Sequence, residues 1–139
     1  MANEATIQAS LQIRKDNLKY SSQPTNFKAD VATGKGPSPG AIAVSTDGTD
    51  VDFSELTTPA LCRLQNLDTT NFVEYGIWDG VSFLPLGEIL SGESYILRLS
   101  RNLTEEFGTG TGTTGAAANT LRLKADTAAC NVLVDGFDA

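Results

Sequence analysis

Apolar and polar residues alternate with a period of two along most of this chain, most densely over residues 71–90, NFVEYGIWDGVSFLPLGEIL. Two runs rich in β-branched and aromatic residues flank Asp79-Gly80, a dipeptide that favours the two-residue turn of a β-hairpin. That turn sets a register in which Trp78 faces Val81, Ile77 faces Ser82, Gly76 faces Phe83, Tyr75 faces Leu84 and Val73 faces Leu86. One face of the hairpin then holds Val73, Tyr75, Ile77, Leu84 and Leu86 and is expected in the core. The other holds Phe72, Glu74, Gly76, Trp78, Val81, Phe83 and Pro85, a mixed face that needs something to lie against.

The same period recurs on either side. Ile7, Ala9, Leu11 and Ile13 alternate with Thr6, Gln8, Ser10, Gln12 and Arg14, the pattern of a strand with one buried and one wet face. Beyond the polar break Lys15-Asp16-Asn17, residues 18–20 and 26–31 form short strand-like pieces around the turn-prone Ser21-Ser22-Gln23-Pro24. Tyr20, Phe27 and Tyr75 are expected in the core. Residues 34–40 hold three glycines and two prolines, a composition that cannot keep a ladder and predicts an exposed loop. Residues 41–45 make a short apolar strand, Asp47-Gly48 marks a turn, and Val51 and Phe53 alternate with Asp50, Asp52 and Ser54. Further strands are expected at 60–67, 94–99, 120–125 and 130–137. Residues 101–119 lack strand periodicity, and their Gly/Thr-rich centre is that of a flexible segment. No capped run of helical period exceeds about two turns. Short strands with turn signals every eight to twelve residues or so predict an all-β, antiparallel, jelly-roll-like β-sandwich. The chain is read as a single domain over residues 1–139, with flexible loops at about 33–40 and 102–119.

Charge and composition narrow the function. Seventeen acids against ten bases leave a net charge of −7, and the one adjacent basic pair is Arg14-Lys15, so nucleic acid is not an expected partner. The chain has no histidine, which removes Ser-His-Asp and Cys-His nucleophile arrangements and imidazole metal sites. Cys62 and Cys130 are read as small buried thiols, pairing only if the fold brings them together. The first residues, MANEATIQAS, carry neither a basic nor an apolar export region, and no run reaches the length of a membrane span. Asn102-Leu103-Thr104 has the form of a glycosylation sequon, read as coincidental without an export signal.

Motifs that could carry chemistry are weak. Residues 110–115 spell G-x-G-x-x-G, yet no strand precedes and no helix follows to make a phosphate cradle. Gly34-Lys35-Gly36 lacks the spacing of a Walker loop. Asp47, Asp50 and Asp52 bring together carboxylates of the kind calcium prefers, but not in EF-hand spacing, so they are read as a solvated turn and no metal is expected, with calcium as the alternative. Glu105-Glu106, and Glu88 with Glu93, supply acids but no demonstrable glycosidase separation. Neither a catalytic residue nor a cofactor is expected. Trp78 and Phe83, near the hairpin tip, either pack inside or anchor an interface. The candidate interface residues are Phe72, Trp78, Val81, Phe83, Ile7 and Leu11.

Two segments carry a resemblance: LQNLDTTNFVEYGIWDGVSFLPLGEILSGESYILRL and, after a Gly-rich insert, LRLKADTAACNVLVDGFD. They resemble small β-rich virion proteins of tailed bacteriophages. The features are an N-L-D-x-T-N-[FY]-V-E-[VY]-G run (Asn66 to Gly76), a Phe-x-Pro-Leu strand (Phe83 to Leu86), the turn Gly92-Glu93, Arg98, and a Lys-Ala-[DN]-Thr-Ala segment (Lys124 to Ala128). The likeness covers somewhat over half the chain, and the insert at 104–114 is longer than the pattern expects. The resemblance implies a virion structural protein made in the host cytoplasm: a capsid decoration or cement protein on the capsid surface. Its partners would be the major capsid protein and further copies of itself, with no nucleic acid, membrane or cofactor. The alternatives are a tail, fibre or spike component contacting a host surface or glycan, and, from the enzyme class, a carbohydrate-active domain with two carboxylates.

Overall fold

The computed structural model describes residues 3–100 and 120–139. The expectations for the 102–119 loop, the glycine motif at 110–115, the sequon and Glu105-Glu106 lie outside the described residues. Among those residues there are twelve strands and no helix: β1 (Ala5–Ala9), β2 (Gln12–Lys15), β3 (Leu18–Ser21), β4 (Thr25–Ala29), β5 (Ser38–Val44), β6 (Thr49–Asp50), β7 (Pro59–Asn66), β8 (Val73–Trp78), β9 (Phe83–Ile89), β10 (Ser94–Arg98), β11 (Thr120–Ala125) and β12 (Cys130–Asp138).

The last eight strands build the body, an antiparallel β-sandwich. They pair as a nested series: β8 with β9, β7 with β10, β6 with β11, and β5 with β12. Lateral pairing of β12 with β7 and of β11 with β8 gathers them into two four-stranded sheets, β10-β7-β12-β5 and β6-β11-β8-β9. The hairpin around Asp79-Gly80 is thus the innermost fold of the series. Alternation places Val44, Cys62, Leu64, Val132 and Val134 of one sheet against Val73, Ile89, Leu121, Leu123 and Ala125 of the other, and these form one buried cluster. Val51, Phe53 and Leu56 join that cluster from the irregular segment after β6. Phe53 needs Gly136 beneath it, since a Cβ there would stand 2.6 Å from both the ring and the Ser38 carbonyl oxygen.

The organising hairpin forms, but not in the expected register. Trp78 pairs with Phe83, Ile77 with Leu84 and Gly76 with Pro85, so residues 79–82 make a four-residue turn. The Asp79 carboxylate decides this: it accepts from the Val81 and Ser82 amides at 2.8 and 2.6 Å, stabilising the longer turn. A shift of two keeps each residue on its face. A bulge then intervenes, because Tyr75 pairs with Gly87 and Val73 with Ile89, beside a proline that has no amide to give the ladder. Leu86 is therefore 70% exposed and Ile89 takes the core position expected for it; Leu84, at the sheet edge, is exposed as well. The β9 chain closes so tightly on Gly76 that a Cβ would overlap the Leu84 carbonyl oxygen.

Two further expectations are corrected. The segment 34–40 does end in a ladder: Ser38, Pro39 and Gly40 open β5 and pair with Gly136, Asp135 and Val134. Pro39 is tolerated because β5 is an edge strand, where a missing donor costs little. The N-terminal strand has no buried face. β1 pairs only with β4, and β2 only with β3, in two-stranded ladders outside both sandwich sheets. Tyr20 and Phe27, expected in the core, are 52% and 43% exposed, since no second layer covers this ribbon.

Candidate interaction surface

The N-terminal ribbon is the first of three surfaces that could bind. Its pairs are Ala5↔Ala29, Ile7↔Phe27, Ile13↔Tyr20 and Lys15↔Leu18 on one side, and Thr6↔Lys28, Gln8↔Asn26, Gln12↔Ser21 and Arg14↔Lys19 on the other. The register changes by one residue around Gln23-Pro24, and this keeps apolar residues opposite apolar ones although their sequence parity has switched. The junction is held by the Ser22 amide on the Leu11 carbonyl at 2.9 Å and the Leu11 amide on the Ser22 hydroxyl at 2.8 Å. Ile7 is half-buried, while Leu11, Ile13, Leu18, Tyr20 and Phe27 are exposed. Arg14 and Lys19, directly opposite one another, form a like-charge pair that costs stability unless a counter-charge is supplied.

The base of the ribbon is fastened to the body by Asp138, which is fully buried. Its carboxylate accepts from the Thr33 hydroxyl at 2.5 Å and from the Thr57 and Thr58 amides at 3.0 and 2.7 Å, and the Ala32 amide donates to its carbonyl at 3.1 Å. Burial pushes this carboxyl's pKa up, but the Thr33, Thr58 and Thr57 hydrogen bonds with nearby Lys35 outweigh it, leaving a net lowering.

The second surface is the outer face of β6-β11-β8-β9. Here Trp78 and Phe83 pair across the hairpin, each half-buried. The Arg122 guanidinium lies over the indole at 3.7 Å and its Nε donates to Asp50 at 2.6 Å, so the cation is held on the ring by a carboxylate. The indole N–H is buried and has no hydrogen-bond partner among the described residues. Val81, at the tip, is 82% exposed. Phe72 precedes the far end of β8 and is not brought to Trp78. The six residues expected to form an interface are therefore divided among the ribbon (Ile7, Leu11), the hairpin tip (Trp78, Val81, Phe83) and the opposite end of β8 (Phe72).

The third surface was missed by sequence reasoning. Strands β9 and β10 are terminal in their sheets, and Leu84, Leu86, Leu90, Tyr95 and Ile96 along this flank are exposed. The Tyr95 hydroxyl donates to Glu93 at 3.1 Å. Glu93, through that hydrogen bond and its charge, raises the Tyr95 pKa, with smaller contributions from Tyr75 and Glu88. The flank is thus apolar with an acidic border. On its outward side Glu74 and Glu88 sit directly opposite each other. Pro85 was the available signal, because a proline in a strand marks an edge or bulge and so unsettles the faces beyond it.

Among the described residues, the carboxylates singled out for chemistry serve turns and an ion pair. Glu93 accepts from the Leu90 amide at 3.0 Å and closes the turn into β10. Asp50 pairs with Arg122, and Asp52 caps the Ser54 amide at 2.8 Å. No group of three metal-ligating side chains occurs among the described residues. Cys62 and Cys130 are free. Cys62 stands opposite Gly136, six positions along β12 from Cys130 and so about 20 Å away at strand rise, beyond disulfide reach. Burial, with Asp135 adding to it, pushes the Cys62 thiol up to about 12.

The N-L-D-x-T-N run also has a structural explanation. Asn66 is wholly buried, donates to the Asn71 and Ile89 carbonyls at 2.9 and 3.1 Å, and accepts from the Asp68 amide at 2.9 Å. Asp68 accepts from the Thr70 and Asn71 amides at 2.8 and 2.6 Å, and those bonds, Asn71 first, lower its pKa. Asn71 accepts from the Thr127 hydroxyl at 2.7 Å. The motif is a knot between the two sheets. Comparisons of the chain with protein-family models, curated proteins and solved structures return no match.

Proposed function

We propose that the chain is a virion structural protein of the tailed-phage kind, a decoration or cement protein that binds the outside of the major-capsid shell and stabilises it without chemistry of its own. The observation that carries this reading is the distribution of apolar surface. An acidic sandwich with a closed core exposes most of its large apolar side chains along the ribbon and along the β9–β10 flank, with Val81 at the hairpin tip and Leu67 after β7 besides. Exposed apolar area of this kind marks association surfaces. The strand order supports it at the level of architecture. Nested pairs wrapped into sheets β10-β7-β12-β5 and β6-β11-β8-β9 support reading the sandwich as jelly-roll-like, an arrangement used by capsid and lectin domains, although a fold by itself does not assign a task.

Stabilisation would follow from mass action: a protein that binds only the assembled shell shifts the equilibrium toward it, and a standard interface of about 800 Å² per partner suffices. The test is to mix the purified protein with undecorated shells. Saturable binding and a higher shell disruption temperature are expected; absence of both overturns the proposal. The alternative of a glycan-binding tail or spike component has weaker support, because Arg122 already occupies the Trp78 face that a sugar ring would stack on.

A further inference from the structure

We propose that the N-terminal ribbon, residues 3–30, is an intermolecular arm that adds edgewise to β9 of a second copy of this chain. A two-stranded hairpin without a layer beneath it is marginal in water. This ribbon's strands nevertheless pair only with one another, and its fastening to its own body, at Asp138, lies at its base.

Charge and face point to the same occupant. The arm's four bases (Arg14, Lys15, Lys19, Lys28) all lie within residues 12–28, where Asp16 is the one acid; with Glu4 and Asp30 the whole arm is net +1 in a chain of net −7, so the rest carries −8. At the free edge of β9 one face ends on Glu88, whose neighbour Glu74 has Lys124 of β11 on its other side, and the other face is apolar, with Ile77 opposite Leu84 and Tyr95 on the neighbouring edge strand. The ribbon is two-faced in the matching sense, with Arg14 opposite Lys19 on one side and Ile13 opposite Tyr20 on the other. Edgewise addition continues both faces of a sheet at once. It therefore sets the like-charged basic pair beside Glu88, and places Ile13 and Tyr20 on the side of the sheet that carries Leu84. Pro85 has no amide to give, so the new ladder runs along residues 86–90. Arm and edge are different patches on one chain, which makes the contact head-to-tail: it closes into a ring or extends into a filament.

The test is the mass of the full-length protein by sedimentation velocity in low salt. Self-association is expected, weakening as salt rises from about 50 mM to about 0.5 M. Arg14→Glu with Lys19→Glu should weaken it about tenfold, and Glu88→Lys should do the same. The triple variant carrying all three changes should return to within about threefold of the parent. All three substitution sites are at the surface, so unchanged thermal unfolding serves as the folding control. A parent that stays monomeric at about 100 µM, or a triple variant without rescue, overturns the arm assignment. Shell binding is scored separately: monomers that still bind shells sink only this inference, and oligomers that ignore shells sink only the proposed function.

Discussion

The ribbon and the sandwich are made from the same kind of sequence and differ in what lies beneath them. In both, apolar residues alternate with polar ones, and cross-strand partners match: Ile13 faces Tyr20 in the ribbon as Ile77 faces Leu84 in the body. In the sandwich a second sheet covers the apolar face, and Val44, Leu64, Val73, Leu123, Val132 and Val134 lose all contact with water. In the ribbon no layer comes, and Leu18 remains 58% exposed. Alternation specifies a two-faced ladder. Burial is a property of whatever packs on it, and in one region that comes from the chain itself while in the other it must come from elsewhere.

The largest way to test the contrast is to cut into the body. Leu64→Ala removes a fully buried side chain from the centre of the cluster and is expected to cost about 3 kcal/mol, from lost transfer energy and the cavity left behind. Urea denaturation of the two proteins measures it. A cost below about 1 kcal/mol would mean that the sandwich is packed far more loosely than described. Asn66→Ala comes next. It strands the Asn71 and Ile89 carbonyls and the Asp68 amide between the sheets, with an expected loss of about 2 kcal/mol. Asn66→Asp keeps the acceptor but loses the two donors, so a comparable loss in that variant identifies the carbonyl contacts as the ones that matter.

Asp138 links the two regions, and its effect depends on pH. Its carboxyl is held below the ordinary value of 3.8 in the fold, with burial opposed and exceeded by the Thr33, Thr58 and Thr57 hydrogen bonds. A lowered folded pKa means that the unfolded chain binds the proton more readily. The stability this group contributes is therefore complete above about pH 4, the unfolded value, and is lost as pH falls through the folded one. The unfolding free energy of the parent is expected to drop, as pH falls below about 4, more steeply than that of Asp138→Asn, which lacks the group. At neutral pH that variant should lose about 1–2 kcal/mol, because an amide cannot accept at both of its terminal atoms. Equal acid slopes in the two proteins would remove Asp138 as the clasp between ribbon and body.

How much of this was legible in the chain depends on the range of the interaction. The strands and the antiparallel sandwich could be read because period-two alternation is local. The hairpin register could not be read from Asp79-Gly80 alone, since the Asp79 carboxylate bonding the Val81 and Ser82 amides favours a longer turn. Leu86 was assigned inward because the pairing was carried straight through Pro85, where the bulge lies. Tyr20 and Phe27 were assigned to the core because sequence shows a face but not its cover. Arg122 escaped notice because Trp78 and Asp50 reach it from strands distant in sequence. Of the ribbon's bases the sequence reading singles out the pair Arg14-Lys15 alone, and it is the pairing of β2 with β3 that sets Lys19 opposite Arg14.

The smallest expected effect is the most discriminating. Leu18 matches Leu64 in chemistry, sits in a paired strand, and faces solvent in place of a second sheet. In dilute protein, where copies are apart, Leu18→Ala should change the unfolding free energy by no more than about 0.5 kcal/mol. If association covers the ribbon, the same substitution acquires a cost only as protein concentration rises, because the side chain then leaves water in the bound state alone. Unfolding midpoints of parent and variant should coincide at about 1 µM and separate at about 100 µM. A concentration-independent loss comparable to that of Leu64→Ala would mean that Leu18 is buried within its own monomer, and the distinction between a covered and an uncovered ladder would fail.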